Sequence, residues 1–135
     1  MDADAIQLET CALPRSATAP ALARGFVSST LASWSAGSAY ADVPLLASEL
    51  VTNAVRHACG DVSLSLHREH GCLRIAVSDG SDVLPVKRDL ATARTGGWGM
   101  HIVERLATRW GLEANTRGKT VWCEIVEPGS SDGAR

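Results

Sequence analysis

Residues 48–58 read SELVTNAVRHA, and the rest of the chain is interpreted outward from this stretch. Glu49 and Asn53 are four residues apart, so on a helix they lie one above the other on the same face. They border an apolar stripe formed by Leu46, Leu50 and Ala54. A polar pair beside a buried stripe faces a groove, where Glu49 can act as a base and the Asn53 carbonyl oxygen suits Mg²⁺. The alternative is a solvent-facing Glu beside a hydrogen-bonded Asn at a helix edge.

Apolar periodicity predicts the other elements around this helix. Alternating patterns predict strands over residues 5–12, 62–67, 72–79, 110–116 and 119–126. Helical spacing predicts helices over residues 19–35, 43–58 and 99–109, with Asp42 as the N-cap of the second. The stretch 80–97 is expected to be mostly loop, with a short helical piece near 87–93. Strands with one polar side and helices on the other predict an α+β two-layer sandwich.

Length and composition limit the possible classes of protein. The 135 residues suit one domain, over residues 1–127, with a flexible Gly/Ser-rich tail over 128–135. The net charge of -2 gives no reason to expect binding to nucleic acid or to an anionic membrane. The acidic N-terminus does not resemble a signal peptide, and no apolar run is long enough to span a bilayer. The four cysteines form no C-x-x-C pair, so we expect free thiols in a cytoplasmic protein.

The segment VSDGS at residues 77–81 places a carboxylate in an apolar setting. Asp79 has the same strand parity as Ile75 and Val77, so it points toward the face that the helices cover. An ionised carboxylate there needs a hydrogen-bond donor, which the exocyclic amine of adenine could supply. The alternative is a strand that ends in an ordinary Asp-Gly turn.

Two glycine-containing segments follow. TGGWGMHIVERL at residues 95–106 has three glycines directly before an amphipathic helix, an arrangement that can bind phosphate. It matches neither the P-loop nor a dinucleotide fingerprint, and a flexible hinge is the alternative. Thr120, after Gly118, could hydrogen-bond near a base or could simply be a β-prone residue after a turn. His57 ends the second helix on the side of Asn53 and could reach a phosphate.

The order and spacing of these segments are more specific than any one of them. The pair Glu49/Asn53, the segments 79–81 and 97–99, and the segment 118–120 resemble the N, G1, G2 and G3 boxes of the GHKL (histidine-kinase-like) ATPase superfamily. The resemblance covers residues 6–126, and the short chain looks like the anti-sigma-factor serine/threonine kinases. It implies the Bergerat ATP-binding fold, in which a mixed, mostly antiparallel sheet carries helices on one face and ATP lies between the helices and a lid.

The resemblance also implies roles for individual residues. Asn53 would hold Mg²⁺, Glu49 would be the base, and Asp79 would bind the adenine amine. The remaining nucleotide-binding residues by this match are Ser81, Gly97, Gly99 and Thr120. The sequence departs from the family pattern at Ser81, which occupies the place of the second glycine of G1. Thr120 also has the opposite strand parity to Val121, Cys123 and Ile125.

A biochemical function follows from the resemblance. A protein of this kind would bind Mg·ATP, phosphorylate a serine or threonine of an anti-sigma-factor antagonist, and in its free form sequester a sigma factor. No phospho-acceptor histidine domain accompanies these boxes, which argues against a complete sensor histidine kinase. Homodimerisation is plausible by the same resemblance. The alternative is a non-catalytic regulator that uses ATP as a structural switch.

Overall fold

The computed structural model describes residues 6–57, 61–79, 100–115 and 118–127. In chain order the elements are strand β1 (Gln7–Leu13), helix α1 (Ala19–Ser33), a 3₁₀ turn (Ser38–Tyr40), helix α2 (Val43–His57), strands β2 (Val62–Glu69) and β3 (Cys72–Asp79), helix α3 (His101–Leu106), and strands β4 (Arg109–Asn115) and β5 (Gly118–Val126). Among these, no helix is long and apolar enough to cross a bilayer.

The five strands form one sheet in the order β1-β2-β3-β5-β4. Each of the four pairings is antiparallel, so the described strands show no parallel pairing of the kind that a mixed sheet would contain. A tight turn joins β2 to β3 at His70 and Gly71, whose φ angles are 54° and 76°. The register pairs Val62 with Asp79 and Ser78 with Thr120. The start of β2, the end of β3 and the start of β5 therefore meet at one end of the sheet.

The helices cover one face of this sheet, as predicted, and the core lies between the two layers. Helix α1 packs on α2, and α2 packs on β2, β3 and α3. The strands alternate between buried and half-buried residues along β2 and β3. Their fully buried side chains on the helix-covered face include Leu64, Leu66, Leu73 and Ile75. At about 25 cal/mol per Å² of apolar surface, burial of this face is the main stabilising contribution to the fold.

The third helix is shorter than the predicted span of 99–109. It ends at Leu106, because Ala107 adopts an extended backbone with φ -83° and ψ 146°. The N–H of Thr108 then donates to the carbonyl of Glu124 at 2.7 Å, and β4 begins at Arg109. Pairing with β5 has therefore overridden the helical spacing that predicted a helix to residue 109.

The other predicted boundaries lie within two residues of the observed ones. Helix α1 ends at Ser33 rather than at residue 35, and Ser35 takes the left-handed conformation with φ 51°. Strand β2 continues two residues beyond the predicted end at 67. The 3₁₀ turn at Ser38–Tyr40 was not predicted. The predicted loop over 80–97, its helical piece and the tail over 128–135 lie outside the described residues.

Candidate functional site

Helix α2 carries the first part of the candidate site. It begins after Asp42, whose carbonyl accepts the N–H of Leu46 at 3.0 Å, with Pro44 in its first turn, where a missing N–H costs nothing. Its apolar stripe is fully buried at Leu46, Ala47, Leu50 and Val51. Asn53 lies beside that stripe with 3% of its surface exposed, and Glu49, one turn earlier, is half-buried. The predicted pair thus straddles the margin of the core, with the amide inside and the carboxylate at the edge.

The amide of Asn53 has one hydrogen-bond partner among the described residues. Its Nδ2 donates to the thioether sulfur of Met100 at 2.8 Å. A thioether is a weak acceptor, yet it satisfies a donor that burial would otherwise make costly. The carbonyl Oδ1 receives no hydrogen bond from the described part of the chain, so it can bind a cation or accept from a ligand.

Met100 is the residue of this site that the sequence did not reveal. It directly follows the glycine segment, precedes α3, and is 1% exposed. A methionine before an amphipathic helix indicates an ordinary core residue. The only sequence signal was its position next to the predicted phosphate loop, which says nothing about a contact with Asn53.

Asp79 lies where the strand parity predicted. It is the last residue of β3, with 8% of its surface exposed, on the same face as Ile75 and Val77. Its Oδ1 accepts the backbone N–H of Lys119 at 3.4 Å, which links the carboxylate to the first residues of β5. A carboxylate can accept several hydrogen bonds at once, so Asp79 can also receive one from an amine of a ligand. The geometry therefore presents a fixed carboxylate under the helical layer.

Thr120 lies on the other face of the sheet. It pairs with Ser78 across β3 and β5, and the two hydroxyl oxygens are 2.7 Å apart. Val121 and Cys123 point into the core, so the predicted difference in parity between Thr120 and the core residues of β5 is confirmed. The observed contact of Thr120 joins β3 to β5 one residue away from Asp79, and the structure does not bring its hydroxyl to the side of Asn53.

The remaining predicted site residues fall partly outside the description. Ser81, Gly97 and Gly99 lie beyond the described residues. His57 is the last residue of α2, and only its backbone is described. The structure thus brings Glu49, Asn53 and Asp79 to the helix-covered side of the sheet.

Comparison with known families agrees with this geometry. The family model of the histidine kinase-like ATPase domain matches residues 12–125, which is most of the chain. The chain belongs to this family. No curated protein matches it.

The residues that match the histidine kinase-like ATPase family include the whole candidate site. The matched range begins at the end of β1 and stops one residue before the end of β5, so it contains all the described site residues. It supports ATP binding, with ATP-dependent phosphotransfer or hydrolysis as the class of activity. It does not distinguish between the different substrates of such ATPases.

The residues present fit a magnesium nucleotide. Mg²⁺ prefers oxygen ligands and is usually held by one or two protein groups together with phosphate oxygens and water. Asn53 offers an amide oxygen whose nitrogen is already occupied by Met100. Glu49 offers a second oxygen donor one turn away, about 5–6 Å between Cβ atoms for such a pair. Asp79 offers a carboxylate acceptor on the sheet below.

Proposed function

We propose that this protein is an Mg·ATP-dependent serine/threonine protein kinase of the anti-sigma-factor type. Its substrate would be an anti-sigma-factor antagonist, and its free form would sequester a sigma factor in the cytoplasm. The observation that carries the proposal is the Glu49–Asn53 pair at the margin of the core. An ATPase domain that also carries a carboxylate beside its metal-binding amide has a candidate base for an incoming hydroxyl group.

Three of the described residues would have separate roles in the proposed reaction. Asp79 would accept a hydrogen bond from the adenine amine and fix the base. Asn53 would hold the metal through Oδ1, and Glu49 would accept the proton of the attacking hydroxyl because its half-buried carboxylate still reaches the surface. Bound Mg²⁺ would neutralise charge on the phosphates. Ser81, Gly97, Gly99 and His57 belong to the proposed nucleotide contacts by sequence, whereas the hydroxyl of Thr120 faces away from this side.

One observation favours a second function, that of a non-catalytic ATP-binding regulator. In the described part of the chain, no hydrogen bond or ion pair orients the carboxylate of Glu49. A general base is usually held in place by a further group, although such contacts can form only in the substrate complex. Under this alternative, ATP would stabilise one conformation of a partner-binding surface and would remain intact.

A single-turnover experiment separates the two functions. Excess protein is mixed with γ-labelled ATP, Mg²⁺ and a panel of anti-sigma-factor antagonist proteins, and label on serine or threonine is measured. We expect transfer by the wild type and a fall of roughly 10²–10⁴-fold in Glu49→Gln, because general-base catalysis contributes about that much. The ATP affinity of Glu49→Gln should be nearly unchanged.

The matched control is Glu9→Gln, the same change at an exposed glutamate of β1. It should transfer phosphate at the wild-type rate. Undiminished transfer by Glu49→Gln would remove this residue from the mechanism. If ATP that is bound to the wild type stays intact with every antagonist tested, the kinase proposal is wrong. The non-catalytic regulator then becomes the proposed function.

A further inference from the structure

We infer that Met100 is a positioning residue for the metal-binding amide of Asn53. The inference starts from the contact between Asn53 Nδ2 and Met100 Sδ at 2.8 Å. Its consequence for Mg²⁺ rests on the proposed function, but the contact itself can be tested without any ligand.

The chemistry of the two groups sets the direction of the amide. An asparagine side chain has a donor end and an acceptor end, and a half-turn of the amide exchanges them. The thioether of Met100 can only accept, so it selects the orientation in which the NH₂ group points at sulfur. The carbonyl oxygen is then directed away from Met100. In the opposite orientation, the NH₂ group would occupy the place of Oδ1, and two N–H dipoles would repel a cation.

The surroundings fix the position of the sulfur. Met100 is 1% exposed, and its carbonyl accepts the N–H of Glu104 at 2.9 Å at the start of α3. Three residues later, Val103 is completely buried, and α3 packs against α2. The docking of α3 on α2 therefore determines where the acceptor for Asn53 lies.

An apolar residue of the same size would fill the space but would not select an orientation. Leucine and methionine have similar volumes, so Met100→Leu keeps the core filled and removes the acceptor. Glutamine has a similar length and offers an amide oxygen to Asn53 Nδ2. Met100→Gln is therefore the conservative variant that should restore the orientation.

The first experiment observes the amide directly, in the protein without nucleotide. The chain has only two asparagines, Asn53 and Asn115, and one glutamine, Gln7, so three side-chain NH₂ pairs are expected in a ¹⁵N correlation spectrum. We expect Met100→Leu to shift the Asn53 pair and leave the other two in place. An unchanged Asn53 pair in Met100→Leu would overturn the inference.

The second experiment measures the consequence for the metal. The readout is the ratio of ATP dissociation constants without and with Mg²⁺, from titrations in EDTA and in MgCl₂. We expect Met100→Leu to lower this ratio by roughly 2- to 10-fold, which corresponds to the net strength of one hydrogen bond. Affinity in EDTA should change little, and Met100→Gln should recover most of the wild-type ratio.

If Met100 had only a structural role, its substitution would affect stability and not the Mg²⁺ dependence of ATP binding. Val27→Ala, which truncates a completely buried side chain of α1 rather than of α3, should lower the melting temperature and leave the ratio unchanged. If Met100→Leu behaves like Val27→Ala, Met100 is an ordinary core residue and the inference is wrong. If instead the wild type shows no Mg²⁺-dependent affinity while the Asn53 amide still responds to Met100→Leu, the proposed function fails and the hydrogen bond remains.

Discussion

Two polar clusters lie on the helix-covered face, at opposite ends of the sheet. One is the candidate site, with Asn53, Asp79 and Met100. The other, which we term the Tyr40 cluster, consists of Tyr40, Arg68, Glu127, Gln7 and the carbonyl of Trp34. Arg68 is at its centre and donates to Gln7 Oε1 at 3.2 Å and to the Trp34 carbonyl at 3.5 Å. Its guanidinium also lies 3.8 Å from a carboxylate oxygen of Glu127 and 5.5 Å from the centre of the Tyr40 ring.

The two clusters use their polar groups differently. Arg68 connects β2 to β1, to the end of α1 and to the residue after β5. In the candidate site, by contrast, the Asn53 amide is satisfied at its nitrogen, and its oxygen receives no hydrogen bond from the described residues. The contacts of Arg68 join four segments of the fold, whereas an acceptor without a partner among the described residues is available to a ligand. The Tyr40 hydroxyl is the exception in its cluster, because it is buried and makes no hydrogen bond within the described residues.

The largest expected effect belongs to the Tyr40 cluster. Tyr40 is 1% exposed and is among the largest buried side chains, so Tyr40→Ala should lower the free energy of unfolding by about 3–5 kcal/mol. Urea denaturation would measure the loss. ATP affinity, measured under conditions where the variant is folded, should stay at the wild-type value. A large fall in ATP affinity would show that the Tyr40 cluster and the candidate site are coupled. The contrast between a structural cluster and a ligand-binding cluster would then be wrong.

Tyr40→Phe provides the control for size. The Tyr40 hydroxyl is fully buried and makes no hydrogen bond of good geometry within the described residues. Its removal should therefore leave stability unchanged or slightly higher. Destabilisation of Tyr40→Phe by more than about 1 kcal/mol would show that the hydroxyl has a stabilising partner.

The next largest effect should appear at the candidate site. Mg·ATP at about 100 times its Kd should stabilise the wild type by roughly 2.7 kcal/mol, or about 5–15 °C in melting temperature. Asp79→Asn removes the charge and keeps the shape, so we expect this ligand-induced shift to be lost with little change in the nucleotide-free protein. Thermal unfolding with and without Mg·ATP would measure both.

Asp61→Asn is the matched control for Asp79→Asn. Asp61 is exposed and lies just before β2, at the same end of the sheet. It should retain the full ligand-induced shift. Equal shifts in Asp79→Asn and the wild type would place adenine elsewhere.

The smallest effect concerns alkaline pH. Burial, and next the nearby Glu127 carboxylate, raise the pKa of Tyr40 well above its usual value of 10.0. Burial likewise raises the pKa of Cys123 from 9.0 to about 12. Both groups bind protons more tightly in the folded state, so their contribution is complete below pH 9 and is lost as pH rises toward 12. Urea midpoints between pH 8 and 11 should fall, and less steeply in Tyr40→Phe. If the urea midpoints of the wild type and Tyr40→Phe fall equally with pH, ionisation of Tyr40 does not contribute to the loss of stability.

Much of the fold could be predicted because its signals are local. Strand β3 was predicted with the correct bounds, and α2 within a residue, because alternation and helical spacing are properties of adjacent residues. The end of α3 could not be predicted in the same way. The helical spacing continues to residue 109, but β4 pairs with β5 from Arg109 onward, and that pairing depends on a distant strand.

The sequence alone determined the chemical groups and the faces on which they lie. Strand parity placed Asp79 under the helices and Thr120 on the opposite face from the core, and helical spacing placed Glu49 above Asn53. Only the tertiary structure decided which way the Asn53 amide points and which groups surround Arg68. Those contacts join residues separated by 47 positions in the first case and by as many as 61 in the second. No periodic pattern encodes such contacts, because they depend on how the helices dock against the sheet and against each other.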